Sequence, residues 1–229
     1  MDFVYICRNG DNQELRYSIR SVVNSFPDSR IWVVGGMPEW YCGDHIPVNQ
    51  DKNTYTNAFN NLKAISESLE ISDSFILMND DFFIINKIDK IEYFYNGTLL
   101  DKITKYKELL GESGYITKLI KTFNRLKKSN NPSPIDYELH TPFPMEKDKL
   151  RTILNRNSGF LHRSMYGNKF NVGGSQIEDV KVYISSGLVN KSFDYTNKKS
   201  DFLSTTDDSF ILIEPMLKDL FPDKTKYEK

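Results

Sequence analysis

Cysteine is scarce in this sequence, because Cys7 and Cys42 are the only two among 229 residues. So few cysteines exclude a disulfide-rich secreted scaffold, and no cysteine and histidine cluster has the spacing of a zinc site. Basic residues number 30 and acidic residues 31, for a formal net charge of −1. No overall basic field therefore exists to hold a polyanion, and any contact with nucleic acid must come from a local basic patch.

Long apolar runs are also missing. No stretch approaches the roughly 18 apolar residues that a membrane-spanning helix needs. The first residues, 1–6, lack the basic segment that opens a signal peptide. The length suits one domain. We therefore predict a cytoplasmic protein whose residues 1–229 form a single domain.

Over residues 1–80, short apolar runs alternate with segments in which apolar residues recur at helical spacing. The runs at 3–6, 31–34 and 74–77 predict strands, and 46–48 predicts a short edge strand. Apolar residues at helical spacing predict a helix after Asp11, its expected N-cap, and a second helix around 58–69. This order predicts an α/β protein with a mostly parallel central sheet flanked by helices.

Polar turns follow the predicted strands. They are residues 8–11, the pair Gly35-Gly36 and the pair Asp80-Asp81. In parallel sheets, ligands bind at the carboxyl ends of the strands. We therefore expect these three turns to converge on one binding site.

Asp80 and Asp81 directly follow an apolar strand. Two adjacent carboxylates are costly to bury, and Mg²⁺ or Mn²⁺ would offset that cost, since these ions bind one or two carboxylates together with substrate phosphates. The pattern predicts a metal site for Asp80 and Asp81 that holds a diphosphate. A solvated turn or a helix cap is the alternative.

Residues 95–135 differ from the rest, because lysine becomes frequent and the strand pattern disappears. We predict a helical, lysine-rich insertion within the domain. Its basic side chains would bind phosphates of an acceptor polymer; they are Lys118, Lys121, Arg125, Lys127 and Lys128. A solvated amphipathic helix is the alternative.

Several segments, in this order, resemble two related groups of enzymes. The segments are 14–21, 31–35 with 38–40, 79–83, 140–142, 163–168, 207–208 and 221–222 with 227–228. They resemble the Stealth sugar-phosphate transferases and the phage glycosyltransferases that accompany hydroxymethyl-pyrimidine DNA modification. Both groups imply a GT-A-like, Rossmann-related fold. The Arg-x-Gly-Asp form of the turn at 8–11 looks more like the phage group.

That resemblance implies a metal-dependent glycosyltransferase that transfers a sugar to hydroxymethylated pyrimidine bases in DNA, in the host cytoplasm if the chain is phage-encoded. It implies a nucleotide-diphospho-sugar donor and a divalent cation, Mn²⁺ or Mg²⁺. Two alternatives stay open: transfer of hexose-1-phosphate to a polysaccharide, and a non-catalytic module that binds sugar nucleotides. The sequence does not indicate an oligomeric state.

The expected site residues fall into two sets. Donor binding is predicted for Arg8, Asn9, Gly10, Asp11, Arg16, Arg20, Gly35, Gly36, Asn79, Asp80 and Arg163. Catalytic roles are predicted for Asp81, His140, Asp207 and Asp208. Some have structural alternatives: Arg16 and Arg20 as a solvent-facing pair, His140 as a structural residue, and the pair Asp207-Asp208 as a helix cap.

Overall fold

A computed structural model describes residues 1–111, 113–154, 159–185, 188–189 and 200–229. Its strands are β1 (Asp2–Cys7), β2 (Arg30–Gly35), β3 (Asp44–Pro47), β4 (Ser74–Asn79), β5 (Phe82–Ile84), β6 (Phe94–Tyr95), β7 (Phe143–Glu146), β8 (Ser175–Gln176), β9 (Ile184–Ser185), β10 (Leu188–Val189) and β11 (Phe202–Ser204). Its helices are α1 (Gln13–Ser25), α2 (Thr54–Glu67), α3 (Leu99–Leu110), α4 (Gly114–Lys127), α5 (Lys147–Leu154), α6 (His162–Phe170) and α7 (Asp207–Leu220).

The chain divides into two compact units, and neither is continuous in sequence. The first unit contains Met1–Ile91, His140–Glu146 and Val180–Lys229. The second contains Glu92–Leu139 and Lys147–Asp179. The expectation of one domain over 1–229 with an insertion at 95–135 stays a prediction.

A five-stranded sheet forms the centre of the first unit, in the order β3-β2-β1-β4-β7. The first four strands are parallel, and β7 pairs antiparallel with β4. The interior of β1, β2 and β4 is buried and apolar, as strands covered on both faces require. The predicted fold class, a mainly parallel sheet flanked by helices, is confirmed.

A second, smaller sheet supports the end of β4. Strand β5 begins directly after Asp81 and pairs antiparallel with β11, with Phe82 opposite Ser204. Phe83 and Leu203 pack with Phe210 and Leu217 of α7 in one buried cluster. This cluster fixes the start of α7 next to the end of β4.

The N-terminus of α1 corrects one expectation. Asn12, not Asp11, is the N-cap; it has φ 46° and its side chain accepts a hydrogen bond from the Leu15 amide at 3.0 Å. The left-handed conformation suits asparagine better than most residues. Asp11 instead accepts a hydrogen bond from the Trp40 indole through its carbonyl oxygen, at 2.6 Å.

The C-terminal residues are tied to α1 by a buried ion pair. Arg20 donates to both carboxylate oxygens of Glu228, at 2.9 and 2.7 Å, and the side chains are 9% and 1% exposed. Arg16 lies 3.7 Å from the same carboxylate and stacks over Trp40. Both arginines therefore have structural partners.

The second unit contains helices α3 to α6 and the short pair β6-β8. Leu99, Leu119, Leu126 and Leu161 are among its core residues. The sequence predicts a helix from about Lys147 to Arg156; helix α5 spans Lys147–Leu154, and residues 155–156 lie outside the described part of the chain. Among the described helices, none has the length and apolar character that crossing a membrane requires.

Candidate active site

A cavity of the first unit has a volume of about 610 Å³ and opens at the carboxyl ends of β1 and β4. We call it the acidic cavity, because five carboxyl groups line it. Its charged lining residues are Arg8, Glu14, Asp80, Asp81, Lys181, Asp207 and Asp208. The turns after β1 and β4 thus converge, as the sequence predicts.

Asp81 is the most enclosed of the aspartates lining this cavity, at 8% exposed. Its Oδ2 atom accepts hydrogen bonds from Ser204 Oγ and from the Lys181 ammonium, both at 2.8 Å. Ser204 reaches Asp81 because β11 pairs with β5. The carboxylate is therefore neutralised by a lysine of the same chain.

Asp80 carries less compensating charge than Asp81. Its Oδ2 atom accepts a hydrogen bond from the side-chain amide of Asn12 at 2.6 Å, so the N-cap of α1 also orients this carboxylate. Burial, together with the neighbouring charge of Asp81, raises the pKa of Asp80 to about 6. A cation in the open cavity would stabilise the ionised form of a carboxyl group with this pKa.

Glu14, in the first turn of α1, is a third buried carboxyl group at the cavity. It accepts a hydrogen bond from Thr205 Oγ1 at 2.7 Å. Burial, helped by the charges of Asp81, Asp80 and Asp207, outweighs that hydrogen bond and raises the pKa of Glu14 to about 7. Glu14 is therefore partly protonated at neutral pH.

The N-terminus of α7 brings the second acidic pair to the cavity. Thr206 is the N-cap, and its hydroxyl accepts a hydrogen bond from the Ser209 amide at 3.3 Å. The alternative in which Asp207-Asp208 caps this helix is therefore wrong. Asp207 pairs with Arg8 at 2.5 Å, with both side chains largely exposed, and Asp208 lines the cavity beside it.

A histidine and several carboxamide side chains complete the cavity. His140 lies edge-on to Phe82, with ring centroids 6.0 Å apart, and lines the cavity with Asn79. Carboxamides cover the side near α2: Asn61 and Gln50 hydrogen-bond to each other at 3.1 Å, and Asn57 lies one turn before Asn61. This side offers hydrogen-bond donors and acceptors without charge.

A smaller cavity of about 390 Å³ shares Arg8, Glu14 and Asp207 with the acidic cavity. Asn9 and Gly10 line it. Of the residues predicted from the sequence, the structure thus brings together Arg8, Asn9, Gly10, Asn79, Asp80, Asp81, His140, Asp207 and Asp208.

Other predicted residues do not line these cavities. Arg16 and Arg20 face Glu228. Asp11 has the side-chain partner Gln13. Gly36 donates its amide to the Cys7 carbonyl at 3.0 Å, and at Gly35, with φ +112°, a Cβ would lie 2.3 Å from that carbonyl. The two glycines therefore let the ends of β1 and β2 approach closely.

Arg163 and the predicted acceptor-binding residues belong to the second unit. Arg163 is buried and donates to the Leu139 carbonyl at 2.7 Å. The basic residues lie on α4 or at its C-cap, and Lys121, Lys127 and Lys128 are exposed.

The sequence did not identify Asn12, Glu14, Lys181, Ser204 or Thr205 as site residues. A signal existed for two of them: Ser204 ends a short apolar strand and Thr205 follows it, shortly before Asp207, which repeats the pattern of β4 and Asp80. No local pattern marks Lys181, because it reaches Asp81 only through the tertiary fold.

The donor set at Asp80 and Asp81 is compatible with a divalent cation that is shared with a ligand. Among the described residues, no three His, Cys, Asp or Glu side chains are grouped to hold a metal by themselves. Mg²⁺, however, is commonly held by one or two carboxylates plus substrate phosphates. Five carboxyl groups line the cavity together with the basic side chains of Arg8 and Lys181. Negative charge is therefore in excess, and a bound diphosphate would increase that excess.

Comparison with known proteins supports the fold. A scan against protein-family models found no match, and a search of curated proteins found none. Among solved structures, the galactosyltransferase LgtC, in complex with donor and acceptor sugar analogues, is 12% identical with a TM-score of 0.51, covering 99% of this chain and 97% of that chain. An active-site mutant of LgtC gives the same values. At this identity the likeness shows the fold alone, and that fold is GT-A-like.

Proposed function

We propose that this chain is a glycosyltransferase that binds a nucleotide-diphospho-sugar donor in the acidic cavity. The observation that carries the proposal is the pair Asp80-Asp81, held at the end of β4 and facing this cavity, in a fold shared with a galactosyltransferase. Sugar transfer requires the charge of the leaving diphosphate to be neutralised and the acceptor hydroxyl to lose a proton.

Asp80 would hold a divalent cation, Mn²⁺ or Mg²⁺, together with Asp81. When bound, such a cation supplies Lewis-acid stabilisation of the diphosphate. Arg8 lies on the rim of the cavity, where its guanidinium would bind a phosphate in exchange for Asp207. The carboxamides near α2 would hydrogen-bond the base of the nucleotide.

Asp208 is the group that we assign to activation of the acceptor. It lines the cavity, whereas Asp207 is paired with Arg8. Its carboxylate would accept the proton of the acceptor hydroxyl as that oxygen attacks the sugar. His140 also lines the cavity and would hydrogen-bond the donor or the acceptor there.

Incubation with a panel of nucleotide sugars and Mn²⁺ tests the donor site, with release of nucleoside diphosphate as the measurement. We expect Asp80→Asn to lower this release by about a hundredfold, because even neighbours of metal ligands alter affinity or activity by about 10- to 100-fold. Asp28→Asn removes an exposed carboxylate away from the cavity and is the matched control. Full turnover by Asp80→Asn would contradict the proposal.

For the acceptor, we propose hydroxymethylated pyrimidine bases in DNA. The support is the resemblance of the sequence to the phage group and the exposed residues Lys121, Lys127 and Lys128 of the second unit. Phosphate contacts make DNA binding weaken as salt rises. We expect the triple Lys→Gln variant to bind DNA more weakly and with a smaller salt dependence.

The mass of the modified nucleoside identifies the product. Addition of a hexose alone supports transfer to DNA, whereas no addition to hydroxymethylated DNA contradicts this acceptor. A hexose phosphate on a polysaccharide would identify the sugar-phosphate transferase alternative. Nucleotide-sugar binding without turnover would identify a non-catalytic module.

A further inference from the structure

We infer that Lys181 is a displaceable counter-ion for Asp81, so that a divalent cation reaches the Oδ2 atom of Asp81 only by displacing an ammonium group of the chain itself. Lys181 would thereby keep the affinity for the cation low until the donor binds. The inference rests on the proposed donor site, and it concerns a residue that the sequence does not mark.

The backbone around Lys181 is fixed beside Asp81. The Val182 amide donates to the Ser204 carbonyl at 2.8 Å, and the Ser204 amide donates to the Val180 carbonyl at 3.2 Å. Lys181 thus lies between two backbone hydrogen bonds to the residue whose hydroxyl also contacts Asp81. These backbone hydrogen bonds hold Lys181, and with it the ammonium group, beside Asp81.

The Oδ2 atom of Asp81 has little capacity left to bind a further donor or a metal ion. Asp81 Oδ2 accepts from both Ser204 and Lys181 at 2.8 Å, and a carboxylate oxygen offers about two lone-pair sites. A metal ion at this oxygen would have to replace one of these donors. The lysine is the replaceable one, because its flexible stem lets the ammonium move, while the serine is fully buried.

The displaced ammonium has a destination within the same cavity. The Lys181 side chain is 25% exposed and lines the acidic cavity, where the diphosphate of a donor would provide a new anionic partner. Binding of the donor would therefore favour binding of the cation, and the reverse, because each weakens the contact between Lys181 and Asp81. By linkage, each raises the affinity of the other by the same factor.

Titration with Mn²⁺ alone, followed by electron paramagnetic resonance of the free ion, tests this inference without any turnover. We expect Lys181→Met to raise the affinity for Mn²⁺ by about tenfold, the scale on which neighbours of ligands change metal binding. Lys181→Arg keeps the positive charge and should bind Mn²⁺ as weakly as the natural protein.

A matched control distinguishes direct contact with Asp81 from a general effect of positive charge in the cavity. Arg8→Met removes one positive charge from the same cavity, but Arg8 contacts Asp207 rather than Asp81. A gain equal to that of Lys181→Met would show a general field effect and would overturn the inference. The double variant Asp81→Asn/Lys181→Met must bind Mn²⁺ no better than Asp81→Asn alone; a persisting gain would also overturn it.

The outcome is distinguishable from failure of the proposed function. If nucleotide sugars are cleaved but Lys181→Met leaves the affinity for Mn²⁺ unchanged, only the role of Lys181 is wrong. If no variant binds Mn²⁺ and no donor is cleaved, both proposals fail. Circular dichroism of each variant establishes that the fold is retained.

Discussion

Single carboxyl groups in the acidic cavity couple the stability of this protein to pH. Glu14 has a pKa of about 7 in the folded chain, against an ordinary value of 4.5, chiefly because it is buried. A folded-state pKa above the unfolded value means that folding favours the protonated form. The stability that Glu14 contributes is therefore complete below pH 4.5 and is lost as the pH rises through about 7.

Replacement of Glu14 by glutamine should thus stabilise the protein in alkaline solution. At pH 8.5, without divalent cations, we expect Glu14→Gln to be more stable by on the order of 3 kcal/mol, since one pKa unit corresponds to about 1.4 kcal/mol. At pH 4.5 the difference should be small. Urea denaturation across this range measures both values.

Glu39→Gln provides the control for that experiment, because Glu39 is exposed and lies outside the cavity. Its effect on the free energy of unfolding should stay small at every pH. A Glu14→Gln variant whose advantage does not grow between pH 4.5 and 8.5 would show that the buried carboxyl is not the cause.

Residue chemistry explains what the sequence reveals about the site. Asp80 and Asp81 are recognisable because a buried apolar strand runs directly into them, whereas Gly35-Gly36 gives an equally clear signal at the end of another strand but does not line the cavity. Lys181 and Asn12 are not recognisable, because their contacts with Asp81 and Asp80 join residues far apart in the chain. Arg20 matches a phosphate-binding pattern equally well, yet its partner is Glu228.

At the scale of elements, two helix N-termini carry side chains of the cavity. The caps of α1 and α7 are Asn12 and Thr206. The sequence indicates α1 by its apolar periodicity and α7 by the isoleucine and leucine residues that follow Asp208, but it does not distinguish neighbouring polar residues as caps. It also does not reveal β7, since Pro144 lacks an amide hydrogen and is tolerated only because β7 is an edge strand.

Loss of the α7 cap should destabilise the first unit. We expect Thr206→Ala to lower the free energy of unfolding by about 1 kcal/mol, because the Ser209 amide loses its acceptor. Thr206→Ser retains a hydroxyl and should lose much less. Urea denaturation of both variants measures the effect, and equal stabilities would refute the capping role.

The buried ion pair between Arg20 of α1 and Glu228 contributes more to the free energy of unfolding than the α7 cap does. Burial raises the pKa of Glu228, but the hydrogen bonds from Arg20 and the Thr225 amide, together with the charges of Arg20 and Arg16, outweigh burial and leave that pKa lowered. We expect Glu228→Gln to cost about 3 kcal/mol at pH 7, because Arg20 then remains buried without a charged partner. Thermal or urea denaturation provides the measurement.

The pH dependence of that loss has a definite sign. A lowered folded-state pKa gives stability that is present above the unfolded value and is lost as the pH falls through the folded value. The difference between the natural chain and Glu228→Gln should therefore shrink below pH 4.5. A difference that grows on acidification would exclude the ion pair as its origin.

For the whole molecule, the excess of acidic groups around one cavity predicts stabilisation by divalent cations. A ligand at about 100 times its dissociation constant adds about 2.7 kcal/mol, which for a chain of this size raises the melting temperature by about 5 to 10 °C. We expect this shift with Mn²⁺ for the natural chain and none for Asp80→Asn. Equal shifts for both would place the cation elsewhere.

The interleaving of the two units has a consequence for synthesis on the ribosome. Strand β4 emerges early, but β7 follows only after α3 and α4 of the second unit, and β11, the partner of β5, is among the last elements to appear. The first unit cannot complete its fold until Val180–Lys229 has left the exit tunnel, whereas the second unit needs no residue after Asp179. The end of β4 thus acquires the lysine and serine that enclose Asp81 only after residues 181 and 204 have been synthesised, which makes the cavity a later product of folding than β4 itself.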